Sequence, residues 1–216
     1  MPSLFSQYST PLSTKKNKNL PATDKTRSVI NQIGGRNYSD HEREQNDFYA
    51  TSPEAIDRLF TEWQPPVEVP IWEPACGTGH LSLRLEELGY KVKSTDLRDR
   101  GFGEGGVDFL WQSDKWEGNI ITNPPYDQAT DFILHSLDLV PEGAYVAMFL
   151  KTLFVDSQSR YERLFRKTPP LFIYQNSRRI ECGLGGNFRG TKGAMPFAWF
   201  VWQKGNYKGT NFKWLR

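Results

Sequence analysis

Residues 122–126 read "TNPPY", and the last four can act together on one small group. Asn123 carries a side-chain oxygen that accepts hydrogen bonds. Pro124 and Pro125 restrict the backbone and remove two N–H donors, so the carbonyls of this turn are held in fixed directions. The Asn123 oxygen and the Pro124 carbonyl are then two acceptors for the two hydrogens of a planar –NH₂ group. Drawing that nitrogen's electron pair out of conjugation with its ring makes it a nucleophile. Tyr126, four places after Thr122, can stack on the ring and hold it in line. Preorganised acceptors of this kind stabilise the positive charge that grows on nitrogen as it attacks an electrophilic methyl carbon. A Pro-Pro pair also simply ends strands, so the weight comes from what surrounds it.

A second constellation lies upstream. "EPACGTGHL", residues 73–81, stands between an apolar run and a helical pattern. Gly77 and Gly79 allow a tight turn and a close backbone approach to a ligand. The helix that follows presents its first N–H groups to that ligand. A third glycine is missing, so this is not the full dinucleotide fingerprint. Asp96, in "STD" 17 residues after Gly79, falls at the tip of the next expected strand, where a carboxylate accepts from ribose hydroxyls. Asp108, in "GGVDFL", is expected at another strand end, able to accept from an adenine amino group. The three elements together point to a nucleoside cofactor.

The chain around these residues alternates between two periodicities. "TSPEAIDRLFTEW" predicts a helix capped by Ser52 with Pro53 in its first turn, and Ile56, Leu59, Phe60 and Trp63 form one apolar face. "VEVPIW", "YKVKSTD", "VDFL", "NIIT", "AYVAMFLKTLF", "PLFIYQNS" and, last, "FAWFVWQKG" read as strands. "GHLSLRLEELG", "DQATDFILHSLDLV" and "SQSRYERLFRKT" read as helices. Alternation with apolar strands predicts an α/β fold whose mostly parallel sheet is covered on both faces. Trp199 and Trp202 alternate with Phe197 and Phe200 and are expected in the core. Residues 1–45 lack periodicity and read as an extended or disordered arm ahead of one domain, 46–216. "GLGGNFRGTKGAMP", residues 183–196, reads as a mobile loop.

Charge divides the chain unevenly. Residues 46–150 hold 7 basic and 18 acidic side chains, whereas residues 151–216 hold 13 basic and 3 acidic. The net +2 therefore hides a last segment of +10, which suggests a polyanionic partner. Arg178, Arg179, Arg189 and Lys192 surround the glycine-rich stretch and are the candidate phosphate-binding side chains. No apolar run approaches the roughly 20 residues of a membrane span, and none forms a signal peptide, so a reducing cytoplasm is the expected compartment. Cys76 and Cys182 are too few for a disulfide framework or a zinc site, and His41, His80 and His135 lack ligand spacing. No metal is expected. Cys76 reads as a small buried side chain.

With these motifs in view, the chain resembles the S-adenosylmethionine-dependent methyltransferases that act on adenine N6. "NPPY" matches their Asn/Asp-Pro-Pro-aromatic tetrad at all four places, and "EPACGTGHL" is similar to their glycine-rich turn. "NDFYAT", residues 46–51, resembles the segment that closes over the methionyl end of the cofactor. The likeness spans about residues 46–203. The short length and "RGFGEGGVDFL" look like small solitary enzymes of phage or prophage type. The resemblance implies a Rossmann-like class I fold with a seven-stranded sheet and an antiparallel last strand inserted near its edge. It implies S-adenosylmethionine contacts from Phe48, Tyr49 and Thr51, from Glu73, Pro74, Ala75, Gly77, Gly79 and His80, from Asp96 and Leu97, from Asp108 and Phe109, and from Asn123. It implies catalysis by Asn123, Pro124, Pro125 and Tyr126 on an adenine flipped out of double-stranded DNA. No separate recognition domain fits after the tetrad, so the candidate recognition elements are the loop at residues 176–195 and the N-terminal arm around Lys15, Lys16 and Lys18. RNA adenine, a protein glutamine amide, and a non-catalytic nucleic-acid-binding subunit remain alternatives, because the tetrad recognises any planar amine. Recognition sequence and oligomeric state stay open.

Overall fold

The computed structural model describes residues 49–180, 182–184 and 195–216. A short strand, β1 (Tyr49–Thr51), leads into α1 (Glu54–Phe60). Then follow β2 (Ile71–Glu73), α2 (His80–Glu87), β3 (Val92–Ser94), β4 (Asn119–Thr122), α3 (Ala129–Leu139) and β5 (Tyr145–Lys151). The last third contributes α4 (Gln158–Arg160, continued by a π turn, Tyr161–Phe165), β6 (Phe172–Asn176), β7 (Cys182–Leu184), β8 (Phe197–Gln203) and β9 (Asn211–Leu215).

Seven strands form the main sheet in the order β3-β2-β4-β5-β8-β6-β9. All run parallel except β8, which is antiparallel to both of its neighbours. Alternate residues of the long central strands feed two cores. Val146, Met148, Leu150, Phe200 and Trp202 pack on one face with α3 residues such as Phe132 and Ile133. Ala147, Phe149, Trp199 and Val201 pack on the other with Ile56 and Leu59 of α1 and Leu81 and Leu85 of α2. This is why β5 and β8 read as continuous apolar runs. The buried indole N–H groups are satisfied: Trp199 donates to the Ala55 carbonyl and Trp202 to the Thr168 carbonyl, both at 2.9 Å.

The expected sheet is present, with helices on both faces, but several details differ. "VDFL" is not a strand. Asp108 caps a 3₁₀ turn, Phe109–Trp111, and this turn replaces ladder pairing because the Asp108 side chain captures the Leu110 N–H. "FAWFVWQKG" is the inserted antiparallel strand but not the last one: β9 follows, parallel to β6 and at the sheet edge. Its burial does not alternate, because Phe212 and Trp214 are exposed, so it carries no clean period-2 signal. Finally, the start of the expected loop is a strand. Cys182–Leu184 pairs antiparallel with Tyr49–Thr51 in a separate two-stranded sheet. Residues 185–194 lie outside the described residues, as do the N-terminal arm and Phe48. The first helix also begins one place later than expected, with Pro53 at the cap and the Ser52 hydroxyl 3.4 Å from the Glu54 N–H. The apolar strand beginning at Ala144 stops at Lys151, where a 3₁₀ turn, Thr152–Val155, takes over. No helix among the described residues is long and apolar enough to cross a membrane.

Candidate active site

The strand order brings the carboxyl ends of β2, β3 and β4 side by side, and the two sequence constellations meet there. This crevice is where ligands sit in open α/β sheets. Between β2 and α2, the Thr95 N–H donates to the Glu73 carbonyl and the Cys76 N–H to the Thr95 carbonyl, each at 3.0 Å. The chain then turns through Gly77 and Gly79, at φ 56° and 88°, and enters α2. A Cβ on Gly79 would lie 2.6 Å from the Phe102 ring, so this turn requires glycine both for its dihedral and for its packing.

Asp96 ties the two sides of the turn together. One carboxylate oxygen accepts from the Gly77 N–H and the other from the Arg98 N–H, both at 2.9 Å. A carboxylate has about four acceptor positions, so two remain for hydroxyl donors. The loop after Asp96 folds back on β3. The Glu104 carbonyl accepts from the Asp96 N–H, the Glu104 N–H donates to the Ser94 carbonyl, and the Val107 N–H reaches the Asp96 carbonyl. This loop delivers Asp108 and Phe109 to the cleft although they are not on a strand.

The tetrad forms the turn between β4 and α3. β4 is buried throughout and pairs with β5 as far as Thr122. The prolines then end the ladder, and the Gln128 N–H on the Pro125 carbonyl starts the turn into α3. The Asn123 amide nitrogen donates to the Thr51 hydroxyl at 2.8 Å. That bond orients the side-chain amide by engaging its nitrogen. Thr51 is held in turn by β1, paired with β7.

A cleft of about 820 Å³, mouth included, joins these parts. Thr51, Glu73, Pro74, Ala75, His80, Asp96, Leu97, Asp108, Phe109, Asn123, Pro124 and Pro125 line it. Gly77 and Gly79 are not in its lining; they make the turn that places the lining residues Cys76, Thr78 and His80, and Tyr49 does not line it either. Arg98, Arg100, Gln128 and Phe132 line it too; the spacing did not single them out, although Arg98 and Arg100 closely follow Asp96. Tyr126 does not line the cleft. Its ring packs 5.8 Å from that of Phe197, and the Lys151 ammonium lies 4.4 Å from its centre. Asp108 faces the cleft with one oxygen already bonded to the Leu110 N–H at 3.0 Å. Arg178 and Arg179 are exposed just after β6; Arg189 and Lys192 fall outside the described residues.

Burial sets the electrostatics. Desolvation pushes the Glu73 carboxyl up to about 8, against hydrogen bonds from Ser82, whose hydroxyl donates to it and accepts from Ser94. Cys76 is pushed up to about 12 by desolvation and by the nearby Glu73 and Asp96, so it is an inert thiol. Burial lowers the His80 pKa, which leaves a neutral imidazole at the start of α2. Among the described residues no three His, Cys, Asp or Glu side chains cluster to hold a metal.

Comparison with solved structures places this architecture. A provisionally assigned class I S-adenosylmethionine-dependent methyltransferase from Listeria monocytogenes superposes with a TM-score of 0.52 at 12% identity, covering 88% of this chain and 72% of its own. The modification subunit of a provisionally assigned type I restriction enzyme from Vibrio vulnificus gives 0.54 at 11% identity over 87% of this chain, which spans half of that subunit. A provisionally assigned RNA methyltransferase from Pyrococcus horikoshii gives 0.52 at 15% identity, covering 85% of this chain and 99% of its own. The fold is that of the class I methyltransferases. No protein-family model matches the sequence, and no curated protein matches it.

Proposed function

We propose that this protein transfers a methyl group from S-adenosylmethionine to the exocyclic amino group of adenine in DNA. The observation that carries the reading is that Asn123, whose amide nitrogen donates to the Thr51 hydroxyl, lines the same cleft as Asp96. The residues present fit the cofactor. The glycine turn admits close backbone approach, Asp96 keeps two acceptor positions for ribose hydroxyls, and the buried Glu73 carboxyl offers a partner for an ammonium group. When bound, the cofactor supplies an electrophilic methyl carbon.

The chain's own residues do the rest. The Asn123 oxygen and the Pro124 carbonyl accept the two amine hydrogens, and the Pro-locked turn keeps them in place as charge develops. Tyr126 stacks the base. No general base is required, because the amine gives up its proton after the methyl has transferred. An adenine amine in duplex DNA is engaged in pairing, so the base must leave the stack to reach the cleft.

The basic last third favours a nucleic-acid substrate over a protein amide. The likeness to a restriction-enzyme modification subunit favours DNA. The second reading, adenine in RNA, is favoured by the similarity to the Pyrococcus protein, which this chain covers almost end to end. Incubation of the purified protein with labelled S-adenosylmethionine and either DNA or RNA separates the two. Asn123→Ala should abolish transfer while cofactor affinity, read by calorimetry, stays within a few-fold. Tyr126→Ala should lose both rate and substrate binding, and Tyr126→Phe should keep part of both. Near-normal turnover by Asn123→Ala would sink the amine-orienting mechanism.

A further inference from the structure

A cation stands at the tetrad that the mechanism above does not use. Lys151 is the last residue of β5, half-buried, with its Nζ 4.4 Å from the centre of the Tyr126 ring. Among the described residues no carboxylate forms an ion pair with it. Strand register shows what continues from it along the carboxyl edge of the sheet. Lys151 pairs with Phe197, whose carbonyl accepts from the Asn176 side chain at 3.1 Å. Asn176 pairs with Leu215, and the Ser177 N–H donates to the Leu215 carbonyl at 2.9 Å. Arg178 and Arg179 directly follow Ser177, and Arg216 directly follows Leu215; all three are exposed. Cations therefore stand at the ends of β5, β6 and β9, with β5 and β6 about 10 Å apart across one intervening strand.

An ammonium with no carboxylate beside the stacking ring works against the reaction. Positive charge grows on the amine of whatever ring Tyr126 stacks, and a nearby cation in a partly desolvated site opposes it. The conflict disappears if the substrate brings its own anion. An extruded nucleotide does, because its phosphate travels with the base. A glutamine side chain does not.

We propose that Lys151 anchors a backbone phosphate of the target nucleotide and is the innermost member of this cationic row. On substrate binding the ammonium exchanges the face of Tyr126 for that phosphate, which both aligns the base and neutralises the charge. The proposal rests on the amine-methylating reading of the tetrad and narrows its substrate to a nucleotide within a polynucleotide.

The test uses Lys151→Gln and Lys151→Arg in the full chain, with random-sequence duplex DNA and matched RNA as substrates and a glutamine peptide as the anion-free control. Lys151→Gln should raise KM for the polynucleotide about tenfold or more, the worth of one charge-assisted hydrogen bond. Its kcat should stay within a few-fold, and the slope of log affinity against log salt should fall by about 1. Lys151→Arg should recover most of the KM. Cofactor affinity and melting temperature should not move, which excludes a misfolded variant. An unchanged KM and salt slope in Lys151→Gln overturns the proposal, and so does a loss confined to kcat. If the unchanged protein methylates the peptide but neither polynucleotide, the nucleic-acid reading beneath it fails first.

Discussion

At the scale of single residues, the cleft is assembled from side chains that do two jobs each. Asp96 holds the glycine turn through the Gly77 N–H and keeps acceptor positions for a ligand. Asn123 lines the cleft and ties it to β1 through the amide nitrogen on Thr51. The place of both residues at the cleft was legible from sequence because it follows from local spacing. Asp108 was legible as a cleft residue but not as a cap, since its bond to Leu110 competes with a strand that its apolar neighbours also permit. Glu73 gives a prediction at this scale. Its pKa rises from 4.5 to about 8 in the fold because burial disfavours the charged form. The folded state therefore binds a proton that the unfolded state has released between those values. The contribution of this group to stability is fully present below pH 4.5 and should be lost as pH rises through about 8, with a slope approaching about 1.4 kcal/mol per pH unit. Thermal denaturation of the cofactor-free protein against pH should show this slope. Glu73→Gln, which can still accept from Ser82, should flatten it and leave the variant relatively more stable above pH 8. Parallel curves for the two proteins would mean Glu73 is ionised in the fold.

At the scale of elements, helices, most buried strands and the two turns at the cleft were legible, whereas the edge strand and the loop after β3 were not. The apolar face of α1 at Ile56 and Leu59 is visible in the sequence because helix periodicity and burial coincide. The edge strand β9 is not, because Phe212, Lys213 and Trp214 are all exposed and no face of it reads as buried. The loop from Leu97 to Val107 is held by backbone bonds that no side-chain pattern announces. Two of its glycines separate packing from dihedral strain. Gly103, at φ +68°, would place a Cβ 2.6 Å from the Ser94 carbonyl oxygen, which is backbone and has no freedom to swing away. Gly101, at φ +79°, has nothing within 4 Å. Gly101→Ala should cost about 1–2 kcal/mol, the left-handed penalty alone. Gly103→Ala should cost clearly more and should also weaken cofactor binding, because the loop carrying Asp96 and Asp108 must shift. Chemical denaturation and cofactor calorimetry on the pair check this. Equal destabilisation in both variants would show that the Ser94 carbonyl imposes nothing.

At the scale of the whole molecule, the chain's uneven charge follows the sheet. The strands that build the cleft, β2 to β4, come from the acidic stretch, whereas β6 and β9 at the far edge come from the basic one. The pairing of β1 with β7 joins the two ends of this arrangement: the segment that carries Thr51 to Asn123 is hydrogen-bonded to the segment that follows Arg178 and Arg179. The register of that pairing was not legible, since three-residue strands lack enough alternation to specify it. Arg178 and Arg179 are exposed and do not line the cleft, so their contribution to nucleic-acid binding should be separable from the chemistry. Arginines that bind phosphates release counterions, and affinity then falls as salt rises. Replacing Arg178 and Arg179 together by Ala should weaken DNA binding and reduce the salt slope by up to about 2, one for each phosphate no longer neutralised. Cofactor affinity should be unchanged. Turnover at saturating DNA should also persist, in contrast to Asn123→Ala. The measurement is fluorescence anisotropy on a labelled duplex across a salt series. A double variant with the original affinity and slope would move the binding face away from the ends of β6 and β9, towards the N-terminal lysines at Lys15, Lys16 and Lys18.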